Sequence, residues 1–173
     1  LERNANVQLG VRSGMTPIIK AVLRAADGPG VNTVMNDIIR KLVERDPTLL
    51  QTERSGCNLM FMSWKRNPKL SQITLLLDLG FDINMRIPTP KTLFEGTPMV
   101  LHIRDFTMLF WALAAGHFDL FNLLIRRGAN PNVHASIQEE HPRISRYVGL
   151  LFVAMYYYEN NNLGIMETLL RAG

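Results

Sequence analysis

Four short segments of this chain open alike: Gly14-Met15-Thr16-Pro17-Ile18-Ile19-Lys20-Ala21, Gly56-Cys57-Asn58-Leu59-Met60-Phe61-Met62-Ser63, Asp105-Phe106-Thr107-Met108-Leu109-Phe110-Trp111-Ala112 and Val148-Gly149-Leu150-Leu151-Phe152-Val153-Ala154. Thr16, Asn58, Thr107 and Gly149 are residue types favoured at a helix N-cap, where a side-chain oxygen can accept from an otherwise unpaired first-turn N–H. Pro17 follows at the first helical position, where its missing N–H costs nothing. Five residues after each cap stands a small side chain, Ala21, Ser63, Ala112 or Ala154, which lets a second helix come close.

Each opening helix is followed by an apolar stripe spaced by three and four: Ile38, Ile39, Leu42, Val43; Ile73, Leu75, Leu76, Leu77; Leu120, Phe121, Leu123, Leu124, Ile125; and Ile165, Leu169, Leu170. Such spacing buries one helix face against a neighbour. Gly80, Gly128 and Gly173 supply C-terminal stops, and Arg45-Asp46-Pro47 ends the first stripe instead. The pattern predicts an all-α chain of about four helix–turn–helix units stacked as a solenoid.

The third unit resembles the ankyrin repeat family. Thr107-Met108-Leu109-Phe110-Trp111-Ala112-Leu113-Ala114-Ala115-Gly116-His117, followed by Leu123-Leu124-Ile125-Arg126-Arg127-Gly128-Ala129-Asn130-Pro131-Asn132, is similar to the family's Thr-Pro-Leu-His-x-Ala-Ala…Gly-His…Leu-Leu-Leu-x-x-Gly-Ala-Asp-x-Asn. Leu75-Leu76-Leu77-Asp78-Leu79-Gly80-Phe81-Asp82-Ile83-Asn84 matches the second half of that pattern, and Gly14-Met15-Thr16-Pro17 its opening. The family histidine is replaced by Ile19, Phe61, Phe110 and Phe152, so apolar packing is expected where the family has hydrogen bonds. Caps 42, 49 and 42 residues apart (16 to 58, 58 to 107, 107 to 149) exceed the family period of about 33. Repeats are expected over about 12–52, 53–86, 103–134 and 145–173 after an N-terminal cap segment 1–11, with insertions at about 25–33, 86–102 and 135–147 read as extended finger loops. The Gly28-Pro29-Gly30 step of the first insertion is strong turn chemistry.

The resemblance implies a non-catalytic module that binds another protein on its concave, finger-bearing face. Degenerate, insertion-bearing repeats also resemble those of host-targeted effectors of intracellular bacteria. The alternative is a targeting or substrate-recruiting domain of a larger enzyme, and the ending Leu169-Leu170-Arg171-Ala172-Gly173 reads as a piece of a longer protein. On the implied frame each finger carries an arginine: Arg12, Arg54, Arg104 and Arg146. First-helix ends add Arg24, Lys65, Arg66, Tyr156 and Tyr157, and Phe106 joins them beside the third finger. Arg and Tyr dominate binding hot spots. This surface would suit an acidic or helical segment with an apolar anchor.

Other chemistries find little footing. Cys57, the single cysteine, excludes an internal disulfide and fits an intracellular setting, cytoplasmic or nuclear. None of the four histidines is placed beside it to activate a nucleophile. His102, His117, His134 and His141 form no ligand spacing, so no metal or other cofactor is expected. Glu95, Glu139 and Glu140 read as solvated loop charges, and Tyr156-Tyr157-Tyr158 lacks basic neighbours for nucleic acid. Trp64 and Trp111 read as packing residues. A net charge of +4 is too mild for a nucleic-acid binder, and no apolar run is long enough to cross a bilayer. A monomer is expected.

Overall fold

A computed structural model describes residues 6–8, 10, 14–25, 29–66, 69–88, 91–93, 101–139, 145–157 and 162–173. It divides into two compact units, Leu1–Asp82 and Ile83–Gly173.

The first unit holds α1 (Pro17–Ala25), α2 (Pro29–Arg45), a 3-10 turn (Pro47–Gln51), a short hairpin of β1 (Glu53–Arg54) and β2 (Cys57–Asn58), α3 (Leu59–Arg66) and α4 (Leu70–Asp78). α1 packs on α2 and on α3, and α3 packs on α4. Thr16 and Asn58 stand immediately before their helices, as the sequence requires. Asn58 Oδ1 accepts from the Phe61 N–H at 2.9 Å, whereas Thr16 Oγ1 is 3.5 Å from the Ile19 nitrogen. Ile18, Ile19, Val22, Met60, Phe61 and Trp64 are buried, and so are the small residues Ala21 and Ser63. The expected turn at Pro29–Asn32 is instead the start of α2, with proline at its first position. Ala26–Gly28 lie outside the described residues.

The second unit opens with β3 (Arg86–Ile87) and β4 (Lys91–Leu93), then β5 (Leu101–Arg104), β6 (Phe106–Thr107), α5 (Met108–Ala114), α6 (Phe118–Arg126), β7 (His134–Glu139), β8 (Ser145–Gly149), α7 (Leu150–Tyr157) and α8 (Asn162–Ala172). α5 packs on α6 and on α7, and α7 packs on α8. Thr107 Oγ1 accepts from the Phe110 N–H at 3.3 Å, and Gly149 directly precedes α7. A glycine of positive φ ends both α4 and α6: Phe81 N–H donates to Leu76 O across Gly80, and Ala129 N–H to Leu124 O across Gly128, each at 3.0 Å.

The all-α expectation needs correction here. The 86–102 and 135–147 insertions, read as loops, supply strands to a four-stranded antiparallel sheet of order β4-β5-β7-β8. Ile103 pairs with Ile137, and Ala135 with Val148; all four are buried. Half-buried Ser136 and exposed Tyr147 alternate with them, the period-two pattern of a sheet with one covered face. β3 pairs separately with β6, through Arg86↔Thr107 and Ile87↔Phe106.

Candidate functional site

The finger of the first unit is built by its turn. Between Arg54↔Cys57, the last pair of the hairpin, Ser55 and Gly56 both take left-handed backbone, with φ of 52° and 65°. Two successive positive φ values are the signature of a type I′ connection, whose twist matches that of the strands it joins. The hairpin leads straight into α3 through the Asn58 cap, so the finger and the helix are held as one piece.

Where this finger meets the first helices lies an open cleft of about 380 Å³, lined by Leu23 of α1, Arg54, Ser55 and Cys57 of the hairpin, and Phe61, Met62 and Lys65 of α3. Its wall is largely apolar, with Phe61 and Cys57 buried. Two cations also border it. Arg54 is half-buried and its Nη1 donates to Met15 Sδ at 3.8 Å; Lys65 is exposed. Among the described residues no carboxylate lines the cleft, and neither cation has an acidic partner. The Cys57 thiol points to the Ser55 carbonyl at 3.8 Å.

The cleft brings together two of the residues expected from sequence, Arg54 and Lys65. Arg24 is exposed on α1, one residue beyond Leu23, and does not line the cleft. Arg12 lies outside the described residues. Arg66 sits at the end of α3, Arg146 on β8, and Tyr156 and Tyr157 at the end of α7. Sequence reasoning missed Leu23, Phe61 and Met62. A signal for one of them was present: Leu23 and Lys65 hold the same place, seven residues after Thr16 and Asn58.

In the second unit Arg104 is exposed on β5, but it is not the counterpart of Arg54. Arg54 stands four residues before its cap and Arg104 three, so Arg104 occupies the place of Ser55. It pairs with Ser136, which pairs in turn with Tyr147. Tyr147 is 75% exposed, and its ring meets His134 edge-on at 5.7 Å. Phe106 is removed from the candidate face. It is fully buried and its ring lies 6.0 Å from that of Trp111, because the strand it occupies turns this side chain into the core.

Asp105 replaces the glycine that holds this position in the first two fingers: Gly14, Gly56 and Asp105 each stand two residues before a cap and have φ of 72°, 65° and 51°. Left-handed backbone is unfavourable for a residue with a Cβ, though aspartate tolerates it better than most. Arg86 holds it there. Its Nε donates to Asp105 Oδ1 at 2.7 Å, and Nη2 donates to the Asp105 carbonyl and, at 2.9 Å, to the His134 carbonyl. The guanidinium keeps the Asp105 carboxyl below the usual carboxylate range. His117, which precedes α6, is held below the ordinary imidazole value by burial.

Among the described residues no cluster of His, Cys, Asp or Glu could hold a metal ion, and no helix is long and apolar enough to cross a membrane. No curated protein matches the chain. Residues 104–136, which take in β6, α5 and α6 together with the ends of the flanking strands, match the model of the ankyrin repeat. The helix-turn-helix geometry, the cap at Thr107 and the left-handed stop at Gly128 agree with that match, and the chain therefore carries an ankyrin repeat at residues 104–136.

Proposed function

We propose that this chain is a protein-binding module that holds its partner on the face formed by its fingers and first helices, and contributes no chemistry of its own. Ankyrin repeats serve as protein-interaction scaffolds, and the match at residues 104–136 supports this general role. On this reading the other helix pairs are degenerate repeats of the same kind. The single observation that carries the choice of face is the cleft beside the first finger: a largely apolar wall, two cations and, among the described residues, no lining carboxylate. The partner is an acidic or helical protein segment, with no nucleic acid or membrane involved. The chain acts as a monomer inside the cell. A host-targeted bacterial effector, or a larger enzyme that recruits its substrate through this module, would use the same face.

The test is a pull-down from eukaryotic lysate with the chain as bait, comparing the natural sequence with Arg54→Glu/Arg104→Glu. Loss of the captured partner with an unchanged circular dichroism spectrum is the expected result. Full retention by the double variant excludes this face.

A further inference from the structure

We infer that the cleft between α1, α3 and the first finger is an anchor pocket for one bulky apolar side chain of an acidic peptide segment, with carboxylates next to that side chain neutralised by Arg54 and Lys65. This rests on the protein-binding reading above and makes it specific.

Three observations support it. The first is composition: half-buried Leu23 and Met62, backed by the buried Phe61, offer an apolar wall, and small-ligand and side-chain pockets are typically apolar surfaces with a few placed polar groups. Methionine suits such a wall because its flexible thioether adapts to differently shaped occupants. The second is size. At about 380 Å³ the cleft is at the small end of the range for ligand sites, which fits an inserted side chain better than a large organic ligand.

Charge is the third. Arg54 is half-buried, and no acid of the described chain answers it or Lys65. A cation beside an apolar recess favours an incoming carboxylate, both for encounter and for register. Arg54 is also pre-placed. Its main chain is held in the last pair of the hairpin and its Nη1 already donates to Met15 Sδ, which limits the freedom to be lost when a ligand arrives. A nucleic acid would use the cations, but among the described residues of the cleft the one ring, Phe61, is only 2% exposed and offers no stacking platform.

The experiment is selection of a random peptide library displayed on phage against the intact chain. Winning sequences are synthesised and their affinity measured by fluorescence anisotropy. Two variants separate the two parts of the claim: Arg54→Glu/Lys65→Glu reverses the charge, and Met62→Trp fills the recess while leaving charge alone. Winners should combine a large apolar residue with neighbouring Asp or Glu. Each variant should weaken them by about tenfold or more, and added salt should weaken the natural complex severalfold. Winners that are basic, or that bind both variants unchanged, overturn the pocket while leaving a protein-binding module intact. A selection without winners overturns the pocket, and the pull-down above then decides the protein-binding reading by itself. Displacement of a winner by a short oligouridine would assign the cations to phosphate and overturn the peptide assignment.

Discussion

Arg86 and Asp105 are joined twice, once through the carboxylate and once through the aspartate's own main-chain carbonyl, while the same guanidinium reaches the His134 carbonyl. One side chain thus pins β3, the left-handed step between β5 and β6, and the first residue of β7. The ion pair is partly solvated, with side chains 35% and 52% exposed, so its Coulombic share is discounted. Arg86→Met should still cost about 1 kcal/mol in urea unfolding, through the loss of its bonds to Asp105 and to the His134 carbonyl. Arg86→Lys should recover only part of this, because an ammonium lacks the planar fork. An unaltered midpoint in both variants would mean that the junction is held by the strands alone.

The same pair sets an acid limit. Asp105 has a folded pKa below its unfolded value, so its contribution is complete above the ordinary carboxylate range and is lost as pH falls through the depressed folded value. The stability difference between the natural chain and Asp105→Asn should therefore shrink as unfolding is followed from neutral pH down through the carboxylate range. A difference that stays constant across that range would show that the charge contributes nothing.

His117 behaves similarly at milder pH. Burial lowers its folded pKa, so the unfolded chain takes up the proton first as pH falls below about 6.5. Stability should decline from that point until the folded imidazole is protonated too. His117→Gln should flatten this decline, and an NMR titration should place the folded His117 below a free imidazole.

Gln72 is an internal misfit. It is 1% exposed on α4, and neither polar atom of its amide has a partner among the described residues. The corresponding place on α6, eight residues before the terminating glycine, is held by the fully buried Leu120. Gln72→Leu should raise stability by about 1 kcal/mol or more, seen as a higher thermal midpoint. A lower midpoint would reveal that the amide is bonded.

The last helix pair provides an internal control for burial. Three residues after the cap stand Ile19, Phe61, Phe110 and Phe152, which are 0%, 2%, 0% and 42% exposed. Six after it stand Val22, Trp64, Leu113 and Met155, which are 0%, 8%, 0% and 59% exposed. Phe110→Gln should cost about 3 kcal/mol or more. Phe152→Gln should cost far less in the same denaturation experiment, and equal losses would contradict the exposure seen here.

What could be read from the sequence follows how far each signal reaches along the chain. Asn58 caps α3 by bonding three residues ahead, and Gly80 and Gly128 end their helices within one turn, so these features were visible in short segments. The sheet was not. Ile103 finds its partner at Ile137, beyond an entire helix pair, and strands this short carry little periodicity of their own. The alternation through Ala135, Ser136 and Ile137 spans too few residues to mark a strand by itself. At the candidate site, Arg54 and Lys65 were legible as repeated positions. Leu23, Phe61 and Met62 became a recess only once α1 had packed beside α3, a relationship spread over some forty residues of chain.

In an array whose neighbours meet only through helix faces, one unit can fray while the next stays intact. The β5–β7 ladder adds a main-chain link between projections that flank the α5–α6 pair on either side. Opening either projection must break bonds belonging to both. Their amides should then exchange with solvent together, as one cooperative block, and the lengthened insertions become a brace instead of slack.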